Sequence, residues 1–370
     1  AIATRDIETL AGRSWHRLVV DEAQAIKNRG ARQSRAVRSI PATRRIALTG
    51  TPVENRLADL HAIMDLLNPR LLGSPTAFRR AFALPIERSR DPDISERLQR
   101  LVRPFILRRL KTDASIAPDL PDKVERTVPC RLTREQATLY QAVVDDLAER
   151  LAGASEMARK GAILAAMMRL KQACNHPAQL LADRSEIAGR SGKLARTEEI
   201  LDEALAAGHK ALIFTQFAQM GALLRTHLQA RFAQEVLVLD GGTSKAARDR
   251  MVARFQGEGG PALFVLSIKA GGTGLNLTAA SHVVHFDRWW NPAVENQATD
   301  RAFRIGQKRN VQVHKLVCVG TMEERIDAMI RRKQALADLV VGAGEDWVTE
   351  LDMDALRGVI ALSADAVEED

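Results

Sequence analysis

Asp21 and Glu22 are the first residues whose types and spacing suggest chemistry. They sit in the stretch RLVVDEAQAIKN (17–28), directly after a short apolar run. Adjacent carboxylates at the C-terminal end of a buried strand lie where open α/β sheets bind ligands. In nucleotide hydrolysis such a pair holds a magnesium ion and polarises the attacking water. The same chemistry needs a phosphate loop, G-x-x-x-x-G-K-[ST], on an earlier strand. The twenty residues before Asp21 contain none. The one Gly-Lys of the chain, in GRSGKL (189–194), has Ile187 where the first loop glycine should stand and Leu194 in place of Ser or Thr. A phosphate loop is therefore expected upstream of residue 1, and the chain, which starts with Ala, reads as the C-terminal portion of something longer.

Three further stretches could act on phosphates. LTGTP (48–52) follows an apolar run, offers the hydroxyls of Thr49 and Thr51, and lets the backbone turn at Gly50. SIKAGGTGLNLTAA (267–280) carries Gly271, Gly272 and Gly274, which permit close backbone approach to a phosphate. WWNPAVENQATDRAFRIGQ (289–307) reads as one capped helix, with Asn291 as N-cap, Pro292 in the first position and Gly306 at the C-terminal end. On that helix Gln297, Arg301 and Arg304 fall at i, i+4 and i+7 and share a face. Two guanidinium forks one turn apart form a clamp for a triphosphate.

The elements that must position these residues follow from the apolar pattern. Candidate strands are 17–20, 45–48, 211–214, 236–239, 262–266, 282–286 and 311–317, each ending near Gly, Thr or Asp and separated by helical stretches. Runs apolar on both faces and alternating with helices indicate parallel sheets covered by helices on both sides. The first two strands belong to a partial sheet and the last five to a complete one. Between them, LADLHAIMDLLNP (57–69), EQATLYQAVVDDLAERLAG (135–153) and GAILAAMMRLKQACNHP (161–177) have apolar residues at helical spacing. The expected organisation is a partial first lobe over 1–55, helical insertions and a linker over 56–189, a second lobe over 190–344 and an acidic tail over 345–370.

Composition is compatible with this plan. The 370 residues are 46% hydrophobic, and no apolar run approaches the ~18 residues of a membrane span. Cys130, Cys174 and Cys318 follow no metal-ligand spacing and suit buried, reduced thiols. The net charge of +8 conceals an asymmetry: residues 345–370 hold nine acids and one base, leaving +16 on residues 1–344. A basic body suggests an anionic polymer as partner.

The ordered series DEAQ (21–24), TGTP (49–52), FILRRLKTD (105–113), LYQAVV (139–144), KQACNHP (171–177), IFTQF (213–217), LDGGTS (239–244), KAGGTGLNLTAA (269–280), WWNP (289–292) and QATDRAFRIGQ (297–307) resembles the Swi/Snf-type ATPases of helicase superfamily two, in a bacterial form. The resemblance covers nearly the whole chain. It implies two RecA-like lobes that close around ATP and Mg2+ and move along double-stranded DNA, in the cytoplasm and at the nucleoid. It implies that Asp21 and Glu22 hold the metal, that Arg301 and Arg304 are arginine fingers, and that Gln24, Gly272, Gly274 and Gln297 contact ATP. It further implies that Thr49, Gly50 and Thr51 couple the lobes, and that Gln216, Lys269, Gly271, Thr273, Trp289 and Trp290 face DNA. Phe303 and Arg288 stand where many relatives have His and Pro, and the phosphate-loop front is missing. A non-catalytic DNA- or protein-binding remnant is the reading from another class. An RNA-directed helicase of the same superfamily is a third, against which WWNP and RIGQ favour the duplex-DNA branch.

Overall fold

A computed structural model describes residues 2–49, 57–89, 91–107, 120–152, 155–183, 185–268, 274–337 and 353–367. The chain divides into two compact units, residues 1–109 with 332–344 and residues 110–331 with 345–370.

In the first unit, β1 (Trp15–Val20) pairs in parallel with β2 (Ala42–Ala47), Val20 opposite Ala47. The crossover runs through a 3-10 turn, Ala23–Ile26, and the helix Arg32–Ser39, whose Val37 packs with Ile26 and Leu66. These are the only two strands of this sheet among the described residues. Val19, Ile46 and Leu48 are 53%, 43% and 49% exposed, although parallel strands normally bury such side chains. Beyond them the expected helices form their own core, in which Leu57, Leu60 and Met64 meet Phe78, Phe82, Leu98 and Val102.

The second unit is built on a six-stranded, all-parallel sheet in the order β3-β8-β7-β4-β6-β5. Its strands are β3 (Lys123–Cys130), β4 (Lys210–Thr215), β5 (Val236–Leu239), β6 (Leu263–Ser267), β7 (Ala280–His285) and β8 (Val311–Cys318). Side chains alternate between two buried clusters. Ala211, Ile213, Val265 and Val284 enter one, and Leu212, Phe214, Phe264 and Val283 the other. Helices cover both faces, as a parallel sheet requires. The strand order reverses between β4 and β7, so the carboxyl ends of these two strands open a crevice of the kind that binds ligands in α/β sheets.

Two features of the expected organisation are corrected. The stretch 56–189 is not only helical insertion: β3 lies within it, pairs with β8 over its whole length, and was hidden by its charges and Pro129. Edge strands tolerate both. The helices Arg134–Leu151 and Glu156–Asn175 belong to the same unit, since Tyr140, Ile163 and Leu170 share the cluster of Ile213 and Phe286. The second correction concerns the acidic tail, part of which is a packed element. The helix Met353–Ile360 buries Leu356 and Ile360, and Val367 bridges Leu132. Tyr140 Oη donates to the Ile360 carbonyl and accepts from Met322 N–H, both at 3.0 Å. Gly320 makes this closure possible, because a Cβ there would lie 2.7 Å from that of Ala366.

Candidate nucleotide and nucleic-acid sites

At the carboxyl end of β1 the chain reverses sharply. Glu22 adopts the left-handed region (φ 48°) and caps the 3-10 turn. A non-glycine residue there costs on the order of 1–2 kcal/mol, a strain that concentrates at functional sites. The backbone N–H of Glu22 donates to Asp21 Oδ1 at 2.9 Å. Gln24 Nε2 donates to Glu22 Oε2 at 2.6 Å, and Thr49 Oγ1 donates to Gln24 Oε1 at 2.6 Å. The ladder continues past the strands, with Ala23 N–H to Leu48 O and Leu48 N–H to Val20 O. Asp21, Glu22, Gln24 and Thr49 thus form one hydrogen-bonded chain across the ends of β1 and β2. Both carboxylates are exposed. Hard oxygen donors at a sheet edge suit Mg2+, which takes one or two carboxylates and completes its shell with water and phosphate. Gly50 and Thr51 lie outside the described residues.

In the second unit, Lys269, Gly271, Gly272 and Thr273 also lie outside the described residues. Gly274 has φ +59°, and the buried Ile268, Leu275 and Leu277 anchor the two ends of that stretch. The long helix expected over 289–307 is corrected. It spans only Pro292–Thr299, started as expected by Asn291 Oδ1, which accepts from Ala293 N–H at 3.0 Å. Past Thr299 the backbone tightens, with Arg301 N–H to Ala298 O and Ala302 N–H to Thr299 O. The Arg301 carbonyl leaves the helical direction to accept from Leu277 N–H at 2.9 Å. Gln307 Nε2 donates to Ala280 O and Ala302 O, drawing the turn onto the sheet, and Gly306 takes φ +100°. Long-range hydrogen bonds therefore override a helical pattern that is locally acceptable. Gln297, Arg301 and Arg304 do not share a helix face: Arg301 is buried, Arg304 exposed and Gln297 half-buried.

The tryptophan pair divides. Trp290 is 3% exposed and sits in the core, with Lys171 Nζ 3.4 Å from its ring centroid. This corrects its expected place beside nucleic acid. Trp289 is half-buried on the opposite cluster. The turn that carries both is fixed by Arg288, whose guanidinium pairs with both oxygens of Glu295 at 2.8 and 3.1 Å and also reaches Asp327. Burial alone would lower the Arg288 pKa, but the Glu295 and Asp327 carboxylates raise it well above its ordinary value. Glu295 Oε1 also accepts from Trp289 N–H at 2.8 Å.

Several buried polar residues were not among the expected site residues. Lys193, the lysine of GRSGKL, is fully buried and pairs with Glu323 at 2.7 Å. Ser191 caps its helix by accepting from Leu194 N–H, and Gly192 is required because a Cβ would fall 1.8 Å from Arg131 O. This Gly-Lys is thus a packing element and no phosphate loop. Beside it Asp287, also fully buried, is hydrogen-bonded by Thr215, Gln216 and Asn175. Burial pushes the Asp287 pKa up, against the pull of the Thr215 hydroxyl, Lys193 and the Gln216 N–H. The thiols of Cys174 and Cys318 and the Glu323 carboxylate lie within 4.8 Å of one another. Lys193 and Cys318 N–H already occupy the carboxylate, so the cluster is a poor metal site.

Comparison with known proteins agrees with this architecture. The SNF2-related domain profile matches residues 2–179, and that of the helicase conserved C-terminal domain matches 192–306. A Bacillus subtilis protein named as a candidate ATP-dependent helicase/translocase is 47% identical over 98% of this chain and 39% of its own length. The human DNA excision repair protein ERCC-6 is 32% identical over 88% of this chain and 23% of its own. The chain therefore spans about two fifths or less of these curated relatives. The solved Sulfolobus solfataricus SWI2/SNF2 ATPase core in complex with dsDNA is 45% identical, with a TM-score of 0.60, over 98% of this chain and 76% of that one. Motif order, paired RecA-like α/β units and these matches together show that the chain belongs to the SWI2/SNF2 ATPase family.

Proposed function

We propose that this chain is part of an ATP-driven motor that moves along double-stranded DNA. The observation that carries the reading is the hydrogen-bonded chain Asp21–Glu22–Gln24–Thr49 at the carboxyl edge of β1 and β2. Asp21 and Glu22 would hold Mg2+, which when bound neutralises phosphate charge and helps to order the attacking water. Glu22 is assigned as the acceptor for that water's proton. Gln24 ties Glu22 to Thr49, so a change in the TGTP segment, with Gly50 and Thr51, is transmitted to the carboxylate. Gly272, Gly274 and Gln297 are assigned to ATP, and Arg301 and Arg304 to charge that develops during phosphoryl transfer.

Duplex DNA is assigned to Gln216, Lys269, Gly271, Thr273 and Trp289, with Trp290 supporting from the core. The relative solved with dsDNA and the +16 charge of residues 1–344 support that assignment. None of the 370 residues forms a phosphate loop, so hydrolysis requires one from outside them, and this portion alone is expected to be inactive.

Fluorescence anisotropy of a labelled mixed-sequence duplex tests the DNA assignment. Binding should be weak and insensitive to sequence, and log K should fall against log salt by about 0.9 for each phosphate neutralised. A flat salt response would remove DNA from the account and leave the protein-binding remnant.

A further inference from the structure

The crevice at the ends of β4 and β7 contains a relay with two loose ends, the buried amide nitrogens of Gln179 and Gln216. Asp287 accepts from Thr215 Oγ1 at 2.5 Å, from Gln216 N–H at 2.9 Å and from Asn175 Nδ2 at 3.2 Å. Asn175 cannot turn its amide over, because its Oδ1 accepts from Lys193 Nζ at 3.1 Å and its Nδ2 also donates to Gln179 Oε1 at 3.1 Å. Lys193 is itself locked by Glu323. The relay therefore runs from the end of the helix Glu156–Asn175, through Asp287, to the first residue after β4. Gln216 is that residue. Its Oε1 lies 3.4 Å from Lys171 Nζ, while its Nε2 is buried and finds no hydrogen-bond partner among the described residues. An unsatisfied buried donor costs about 1–3 kcal/mol, which a phosphate oxygen would recover once this half-buried side chain turns its amide outward.

We infer that Asp287 is a positioning residue for duplex DNA, holding Gln216 so that its Nε2 donor is available to a backbone phosphate oxygen, with Asn175 fixing Asp287 from behind. The inference rests on the DNA reading above. Asp287 touches no nucleic acid itself. It acts by setting the backbone of Gln216, and Lys171 sets the carbonyl end of the same side chain. An apolar side chain in place of Asp287 would fill the volume but leave Thr215, Gln216 N–H and Asn175 Nδ2 without an acceptor.

The test is a cycle of variants in the 370-residue chain, with affinity for a labelled mixed-sequence duplex and thermal unfolding measured on each. Asp287→Asn turns an amide donor toward either Asn175 Nδ2 or Gln216 N–H. It should weaken binding to the level of Gln216→Ala, about tenfold for one charge-assisted contact. The swapped pair Asn175→Asp with Asp287→Asn restores donor to acceptor and keeps an acid beside Lys193. It should regain parental affinity. Adding Asp287→Asn to Gln216→Ala should cost nothing further, since both remove the same contact.

Parental affinity in a folded Asp287→Asn protein would overturn the inference. So would independent losses in the double variant, or a swap that regains stability but not affinity. If Asp287→Asn does not fold, the swap carries the test: parental affinity supports the inference, and affinity at the Gln216→Ala level overturns it. An unsubstituted chain without salt-sensitive duplex binding would overturn the DNA reading as well, a failure visible before any variant is made.

Discussion

Arg304 is exposed and stands outside any helix, whereas Arg301, three residues earlier, is 6% exposed. The two guanidiniums therefore have different tasks open to them. Of the two assigned to phosphoryl transfer, Arg304 is the one open to solvent, and it is the one whose replacement is tested most simply. With the phosphate loop supplied, Arg304→Ala should reduce turnover by roughly 10³-fold or more, and Arg304→Lys should do little better because a point ammonium cannot replace a planar fork. Phosphate release measured beside DNA affinity on the same variant decides this. A surface arginine in an ordinary ion pair would lose only about 0–1 kcal/mol of stability and leave turnover intact. At this scale the acids Asp21 and Glu22 were legible, because an apolar strand run ends on them. Trp290 was not, since two adjacent tryptophans do not reveal which one faces the core. Neither were Asp287 and Asn175, which gain meaning only where the chain brings distant segments together.

At the scale of elements, the helix Pro292–Thr299 shows what a pattern can and cannot convey. Its start was legible from Asn291 and Pro292, which act locally. Its end depends on Leu277 and Ala280, residues of another segment, and no local signal carries it. β3 was missed for a related reason: pairing with β8 supplies the stability that its polar sequence does not advertise. The C-terminal segment makes a testable case. Tyr140 Oη joins Ile360 and Met322, so Tyr140→Phe leaves a buried carbonyl and a buried N–H unpaired. Each unpaired group costs about 1–3 kcal/mol. Urea unfolding of the second unit should show a lower midpoint and a loss of unfolding free energy of that order for each group. An unchanged midpoint would mean that the segment Met353–Ile360 adds nothing to the unit's stability.

At the scale of the whole molecule, protonation links several elements. His282, His285 and His314 are each held down to about 4, chiefly by burial, with His282 also beside His314 and His209. Unfolding returns these imidazoles to an ordinary value near 6.5. Between those values the unfolded chain binds more protons, so stability is complete above about pH 6.5 and falls as pH drops toward about 4. Glu125, drawn down to about 2 by Lys315 and Lys123 against the opposing effect of burial, extends the loss to lower pH. Thermal unfolding at a series of pH values should therefore show a falling Tm below about pH 6.5, with His285→Asn flattening the dependence. A profile level down to pH 4 would contradict the neutral, buried state of these imidazoles. The fold class was legible at this scale because strand runs and helices alternate, but the division into units was not, since it depends on which core the intervening helices join.

The central claim is that Glu22 serves hydrolysis driven by duplex DNA. Steady-state phosphate release tests it most directly, measured with and without duplex on the chain joined to a phosphate-loop segment, on its Glu22→Gln variant and on the 370 residues alone. The account predicts duplex-stimulated turnover in the first, loss of that turnover with DNA affinity retained in the second, and none in the third. Turnover that survives Glu22→Gln, or robust hydrolysis by the 370 residues alone, would contradict it.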